Sequence, residues 1–281
     1  MNKEKALKNQ GLEFREDIRE RGREMNVLKT ELKRGICSWK FAGSVFLILL
    51  MGLAGAGESF SVAGSYLQMD GSLAGLKQAG WILLQGASQS DLFLMAVSMT
   101  VAFSYASVFY EEAENRFVLM SLSRTSYKAY IGTKVFVTAF SGGCCVICAF
   151  CLQTIFCIFT AFSSGAFFGE FMGYLGQHML LSLVQWAGLV ALSGAFWAVA
   201  GGISAVVMKS RYMAYMAPFI LYYILSEFQS RYYPELYFLS PREWVASKYL
   251  SVGVRYGILT VAVCLAGGIY AVVMRRRVAH V

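Results

Sequence analysis

The stretch that decides the fold is Tyr110–Val135, "YEEAENRFVLMSLSRTSYKAYIGTKV". It holds three acids, two lysines and two arginines, and nearly unbroken apolar sequence flanks it on both sides. About 20 apolar residues in a row suffice for a helix to cross the hydrocarbon core of a bilayer. Charges are costly inside that core, so a charged stretch between two such runs belongs outside it. The segment therefore reads as a link between two spanning helices, and the rest of the chain is read outward from it.

Only 15% of the 281 residues are charged and 57% are hydrophobic, whereas a soluble domain carries about 25% charged residues. The apolar residues come in blocks. They predict an all-α integral membrane protein with six transmembrane helices at residues 41–57, 92–110, 135–162, 175–208, 212–228 and 252–274. Pro218 is expected to kink the fifth, because proline removes a helical hydrogen bond and crowds the preceding turn. Residues 1–24 read as a charged cytoplasmic tail and residues 275–281 as a basic one. In residues 25–40, Met25, Leu28, Leu32, Ile36 and Trp39 share one helical face, with Lys29, Lys33 and Arg34 largely off it. That spacing predicts an amphipathic helix lying along the membrane surface. Between the fifth and sixth spans, "YYPELYFLSPREWVASKYL" (residues 232–250) is dense in tyrosine and tryptophan. Such rings favour the headgroup zone, so an outer interfacial segment anchored by Tyr237 and Trp244 is expected, with a compact surface loop as the alternative.

Orientation follows from the basic residues. Of the 25 lysines and arginines, 20 fall before the first span, between the second and third, between the fourth and fifth, or after the sixth. Basic loops stay in the cytoplasm, which places both termini and the Tyr110–Val135 segment there, in the cell membrane. The net charge of +8 is thereby a topological signal, and no nucleic-acid partner is needed to explain it.

Catalytic chemistry is thinly represented. Cys144, Cys145, Cys148 and Cys151 lie within an apolar run, where thiolates for metal binding would be costly, so they read as small hydrophobes. The two histidines are His178 and His280, and Glu170 with His178 reads as an ordinary solvated loop pair. Neither a nucleophile elbow nor a His-Glu-x-x-His helix is present, nor the glycine-rich loop that cradles ATP phosphates. The chain reads as no enzyme, with no cofactor of its own. Gly194, Ala198 and Gly202 recur every four residues, as do Gly253 and Gly257, and both stripes read as packing surfaces within or between subunits.

Three elements in order carry a resemblance. The first is the lead-in "MNVLKTELKRGICSWKF" (residues 25–41). The second is "FYEEAENRFVLMSLSRTSYKAYIGTK" (residues 109–134), where acids are followed by small and basic residues and the run ends at Lys134. The third is "VVMKSRYMAYMAPFILYYI" (residues 206–224), a basic turn leading to a proline. In layout the chain from Met25 onward resembles the type-2 ABC transporter permeases, the six-span membrane subunits of bacterial exporters. The resemblance implies a second permease copy, identical or related, and cytosolic ABC ATPase subunits that carry the ATP and magnesium. It also implies a coupling helix built from Glu111, Glu114, Arg116, Phe117, Leu119, Met120, Leu122, Arg124 and Lys134. Independently, large apolar residues clustered in a charged loop call for a burial partner.

The expected function is export of an amphipathic or hydrophobic substrate, such as a peptide, lipid or drug, driven by that separate ATPase. The alternative is a non-transporting membrane scaffold or sensor on the same fold. Under the six-span topology, a cysteine placed at Lys128 is labelled by impermeant reagents only from the cytosol, and one at Lys77 only from outside. Labelling of both from one face would overturn the arrangement.

Overall fold

A computed structural model of the chain describes residues 25–69, 84, 86–123, 125–163, 180–247 and 249–279. The tail 1–24, Lys77, Arg124, Glu170, His178, Lys248, His280 and the start of the expected fourth span, 175–179, lie outside the described residues. Among those described, every regular element is helical.

The lead-in and the first span, expected to meet at residues 40 and 41, are separate helices, α1 (Met25–Ile36) and α2 (Trp39–Gly55), bent by 45° at a break a few residues earlier. Ser38 sits in extended conformation between them, and its hydroxyl accepts from the Phe41 amide at 3.1 Å. That is an N-cap, which satisfies a donor that the new helix leaves open. α3 (Gly57–Met69) follows directly. The second span, expected to be continuous over 92–110, is broken into α4 (Asp91–Tyr105) and α5 (Val108–Glu114), bent by 41°. Ser90 caps α4 by accepting from the Phe93 amide at 3.2 Å. A single turn, α6 (Phe117–Leu122), leads to α7 (Tyr127–Ser163). Then come α8 (Leu180–Val207), α9 (Met213–Tyr232), a short 3-10 turn at Tyr237–Leu239, α10 (Pro241–Ala246) and α11 (Val252–Val278).

Among the described residues, three stretches are long and apolar enough to cross a membrane on their own: Tyr127–Cys157, Leu181–Val207 and Val252–Val278. The count rises to five if each bent pair is one span. The outward faces fit this reading. Phe46 on α2, Ile155 and Phe159 on α7, Val184 on α8, Ile224 on α9 and Leu265 on α11 are all exposed.

Small residues set the helix crossings. A Cβ on Gly142 of α7 would stand 2.4 Å from the Ala198 Cβ and 2.7 Å from the Gly194 carbonyl oxygen on α8. Gly202, one turn further, instead faces Tyr270 of α11. The Gly194–Ala198–Gly202 stripe therefore packs inside the chain. α9 runs through Pro218. Proline leaves the Ala214 carbonyl without its usual helical donor, and that oxygen lies where a Cβ on Gly201 would be only 2.5 Å away. By contrast, Gly253 and Gly257 meet nothing within 4 Å.

The largest core cluster gathers Trp186, Trp197, Tyr222 and Trp244. Trp244 on α10 stacks on Trp197 at 6.3 Å, meets Phe196 edge-on at 5.4 Å, and donates its indole N–H to the Phe238 carbonyl at 2.7 Å. It is buried, at 7% exposure. The expected headgroup anchor is thus a core residue: its N–H is satisfied by the chain itself, so the ring can turn inward. Tyr237 is half-buried and stacks on Tyr249 at 4.3 Å.

Overpacking is predicted to be strongly site-dependent. Gly194→Leu should cost at least 1–3 kcal/mol, the usual range for forcing volume into a filled core, and should lower the thermal unfolding midpoint in detergent. Gly257→Leu should leave it near the parent value.

Candidate functional site

The site is built at the end of the bundle where α1, α5 and the start of α7 converge. Lys134 lies two turns into α7, on the same face as Tyr130, four residues earlier. The helix starts eight residues before the apolar run expected from residue 135, so Lys134 is helical and pulled into the packing. It is buried to 1% exposure. Its ammonium group contacts Glu112 Oε1 and Oε2 at 2.9 Å, Glu31 Oε1 at 3.0 Å and the Tyr105 hydroxyl at 3.1 Å. The same nitrogen stands 5.4 Å from the Tyr105 ring centre and 5.6 Å from that of Tyr130. An ammonium has three hydrogens and no acceptor, and here all three have oxygen partners.

Glu112 is the other centre. Besides Lys134 it accepts from the Tyr130 hydroxyl at 2.8 Å and from Arg34 at 2.5 Å. Tyr105 donates to Glu31. Two carboxylates thus meet two bases, and the cluster is neutral as a whole. Arg34 remains half-exposed at its rim. Phe109, Val118, Tyr130, Ile131 and Tyr270 form a buried apolar cluster on the same side, and Phe109 and Tyr270 meet edge-on at 6.5 Å.

α1 docks by its apolar face. Leu28 and Leu32 pack against Tyr105, Val108 and Val137, and Ile36 against the main core. Met25 at its start and Trp39, the first residue of α2, are exposed, Trp39 at 90%. Of the five residues expected on a membrane-lying face, the middle three therefore face the protein. The reason is Glu31, which sits among them and is drawn to Lys134.

The expected coupling residues divide by environment. Phe117, Leu119 and Met120 on α6 are exposed at 56%, 49% and 65%, while Val118 between them is fully buried. Leu122 is partly buried against the protein's own apolar cluster, so it holds α6 down and adds little outer surface. Arg116 precedes α6 at φ 59°, a left-handed conformation that side chains other than glycine rarely take. Glu111 accepts from Ser107 at 2.9 Å and lies 3.7 Å from Lys40. Glu114 and Arg116 are exposed. Lys134 is the correction: it belongs to the buried cluster beneath the exposed helix and presents no surface itself.

Further contacts fix this end. Tyr110 donates to the Lys209 carbonyl at 2.7 Å, Tyr215 to Ser107 at 3.1 Å, and Tyr127 to the Arg275 carbonyl at 3.2 Å. They bring Lys209 and Arg275 to the same end as Arg34 and Lys40. The basic segments grouped by sequence are therefore grouped in space.

The central roles of Glu31, Tyr105 and Glu112 were missed from sequence, as was Val118. Glu31 did carry a signal: an acid three residues after Leu28 and four before Gly35 stands on the inward face of α1. Among the described residues, no group of three or more histidines, cysteines or acids is placed to hold a metal ion. Comparison with known protein families, curated proteins and solved structures finds no match.

Removing one partner of a buried ion pair strands the others and typically costs 3–5 kcal/mol. Lys134→Met should therefore destabilise the protein by about that much. Adding Glu112→Gln to it should recover part of the loss, since one stranded charge is then gone. Thermal melts of the two singles and the double variant measure this. Simple additivity would show that the cluster is not coupled.

Proposed function

We propose that this chain is the membrane-spanning subunit of an ATP-driven exporter of the type-2 ABC permease kind, moving an amphipathic or hydrophobic substrate. In this reading α2, the α4–α5 pair, α7, α8, α9 and α11 are six spans, and both termini face the cytoplasm. α2 has 17 residues, and α9 carries Glu227, Arg231 and several tyrosines, so each alone gives a weak spanning signal.

The observation that carries the proposal is α6. Three large side chains, Phe117, Leu119 and Met120, stand out from the basic end of the bundle, while Val118 is socketed beneath them. A short helix held from below with an apolar upper surface suits a groove on a soluble partner. Glu111, Glu114 and Arg116 supply a charged rim. The partner is an ABC ATPase carrying ATP and magnesium, paired with a second permease copy in the lipid.

Burying a large apolar side chain is worth about 1.5–3 kcal/mol, so removing two should weaken docking by factors of hundreds. Phe117→Ala with Leu119→Ala should leave the protein monodisperse. The ATPase should no longer co-purify from mild detergent, and substrate-stimulated hydrolysis should be lost. A monodisperse double variant that keeps its partner and full stimulated hydrolysis would show that α6 is only a linker.

A further inference from the structure

At the opposite end of the bundle, α8, α10 and α11 enclose a cavity of about 200 Å³. Gln89, just before α4, Gln185 and Arg255 are its polar walls, and Leu189, Val245 and Val252 are apolar ones. Arg255 is the only charged group among the described lining residues. One of its terminal nitrogens donates to the Val245 carbonyl at 2.8 Å, which pins the guanidinium in place. Its Nε is buried and has no hydrogen-bond partner among the described residues. A guanidinium cannot shed its proton to escape that cost, and a buried, unpaired N–H on a cation is expensive. Glu243 is close enough to act on Arg255 through its charge. It forms no ion pair with Arg255 among the described residues, and it does not line the cavity. Next to the lining residues in sequence, α8 and α11 also carry apolar side chains outside the cavity wall. Leu181, Val184 and Val254 there are exposed.

We propose that this cavity binds an oxyanion carried on an apolar body, with Arg255 as its charged donor and Gln89 and Gln185 as neutral ones. Arginine is suited to this because its fork of N–H groups matches phosphate and carboxylate oxygens. The exposed apolar residues next to the lining ones in sequence accept the attached hydrocarbon. The ligand is an anionic amphiphile, with a free phosphate as the other source of the same chemistry. The proposal does not depend on the transport reading, since none of its residues belongs to the α6 surface.

The test is thermal unfolding of the purified full chain in a neutral detergent with three added probes. These are a soluble short-chain phosphatidylglycerol, the phosphatidylcholine of equal chain length, and inorganic phosphate. Phosphatidylglycerol should raise the midpoint in a saturable way and phosphatidylcholine should not. In Arg255→Gln the apparent affinity should fall about ten- to hundred-fold, the loss expected for charge-assisted hydrogen bonds. A saturable shift by inorganic phosphate alone, lost in Arg255→Gln, would assign the site to a free anion and still support an oxyanion pocket. No saturable shift by any probe, or an equal shift in the parent and Arg255→Gln, would overturn the proposal. Should Arg255→Gln fail to fold, Val252→Trp at the cavity wall decides instead. It leaves the arginine in place and should abolish the phosphatidylglycerol shift, and an unchanged shift would overturn the proposal.

Discussion

The architecture at the basic end depends on a single buried lysine. Lys134 is withdrawn almost completely from solvent, and a charge so placed is tolerated only when it is fully paired. Its partners come from separate parts of the chain: Glu31 from α1, Tyr105 from α4 and Glu112 from α5. Meeting that requirement fixes where α1 lies, at what angle α5 leaves α4, and how deeply α7 is set. The break at Ser38 and the bend before Val108 are then the joints that let three helices reach one nitrogen.

Above this cluster sits α6, and the relation is mechanical. α5 ends two residues before α6 begins, and the left-handed Arg116 makes the turn between them. Val118 and Leu122 bind α6 to the apolar cluster formed by Phe109, Tyr130 and Tyr270. The exposed side chains of α6 are therefore coupled to the packing of α5 and α7. The α7–α8 crossing at Gly142 and Gly194 is tight in its turn, with backbones that nearly touch.

Much of this was legible in the sequence, for reasons that can be named. Long apolar runs located α7, α8 and α11, though α7 begins eight residues before the run expected from 135, because burial in lipid leaves a one-dimensional trace that polar first turns do not carry. The charged Tyr110–Val135 link and its exposed Phe117, Leu119 and Met120 were also visible, because four large apolar residues among charges stand out. What was lost is three-dimensional. Nothing local says that Trp244 turns into the core, since a tryptophan suits both a headgroup layer and a buried stack. Lys134 looked like the edge of a loop because its partner Glu31 is a hundred residues away. The break in the second span was hidden too, as the residues on both sides of it are mostly apolar and helical.

The span of sequence across which the charge cluster closes has a consequence for how the chain is made. Glu31 leaves the ribosome about a hundred residues before Lys134, and chains are folded as they emerge, N-terminal parts first. Through that interval the inward acid of α1 has no base from α7 to meet, so the helix cannot take its final seat. A helix made early, α1, thus reaches its final contact with Lys134 only after α5, α6 and the opening turns of α7 have been made.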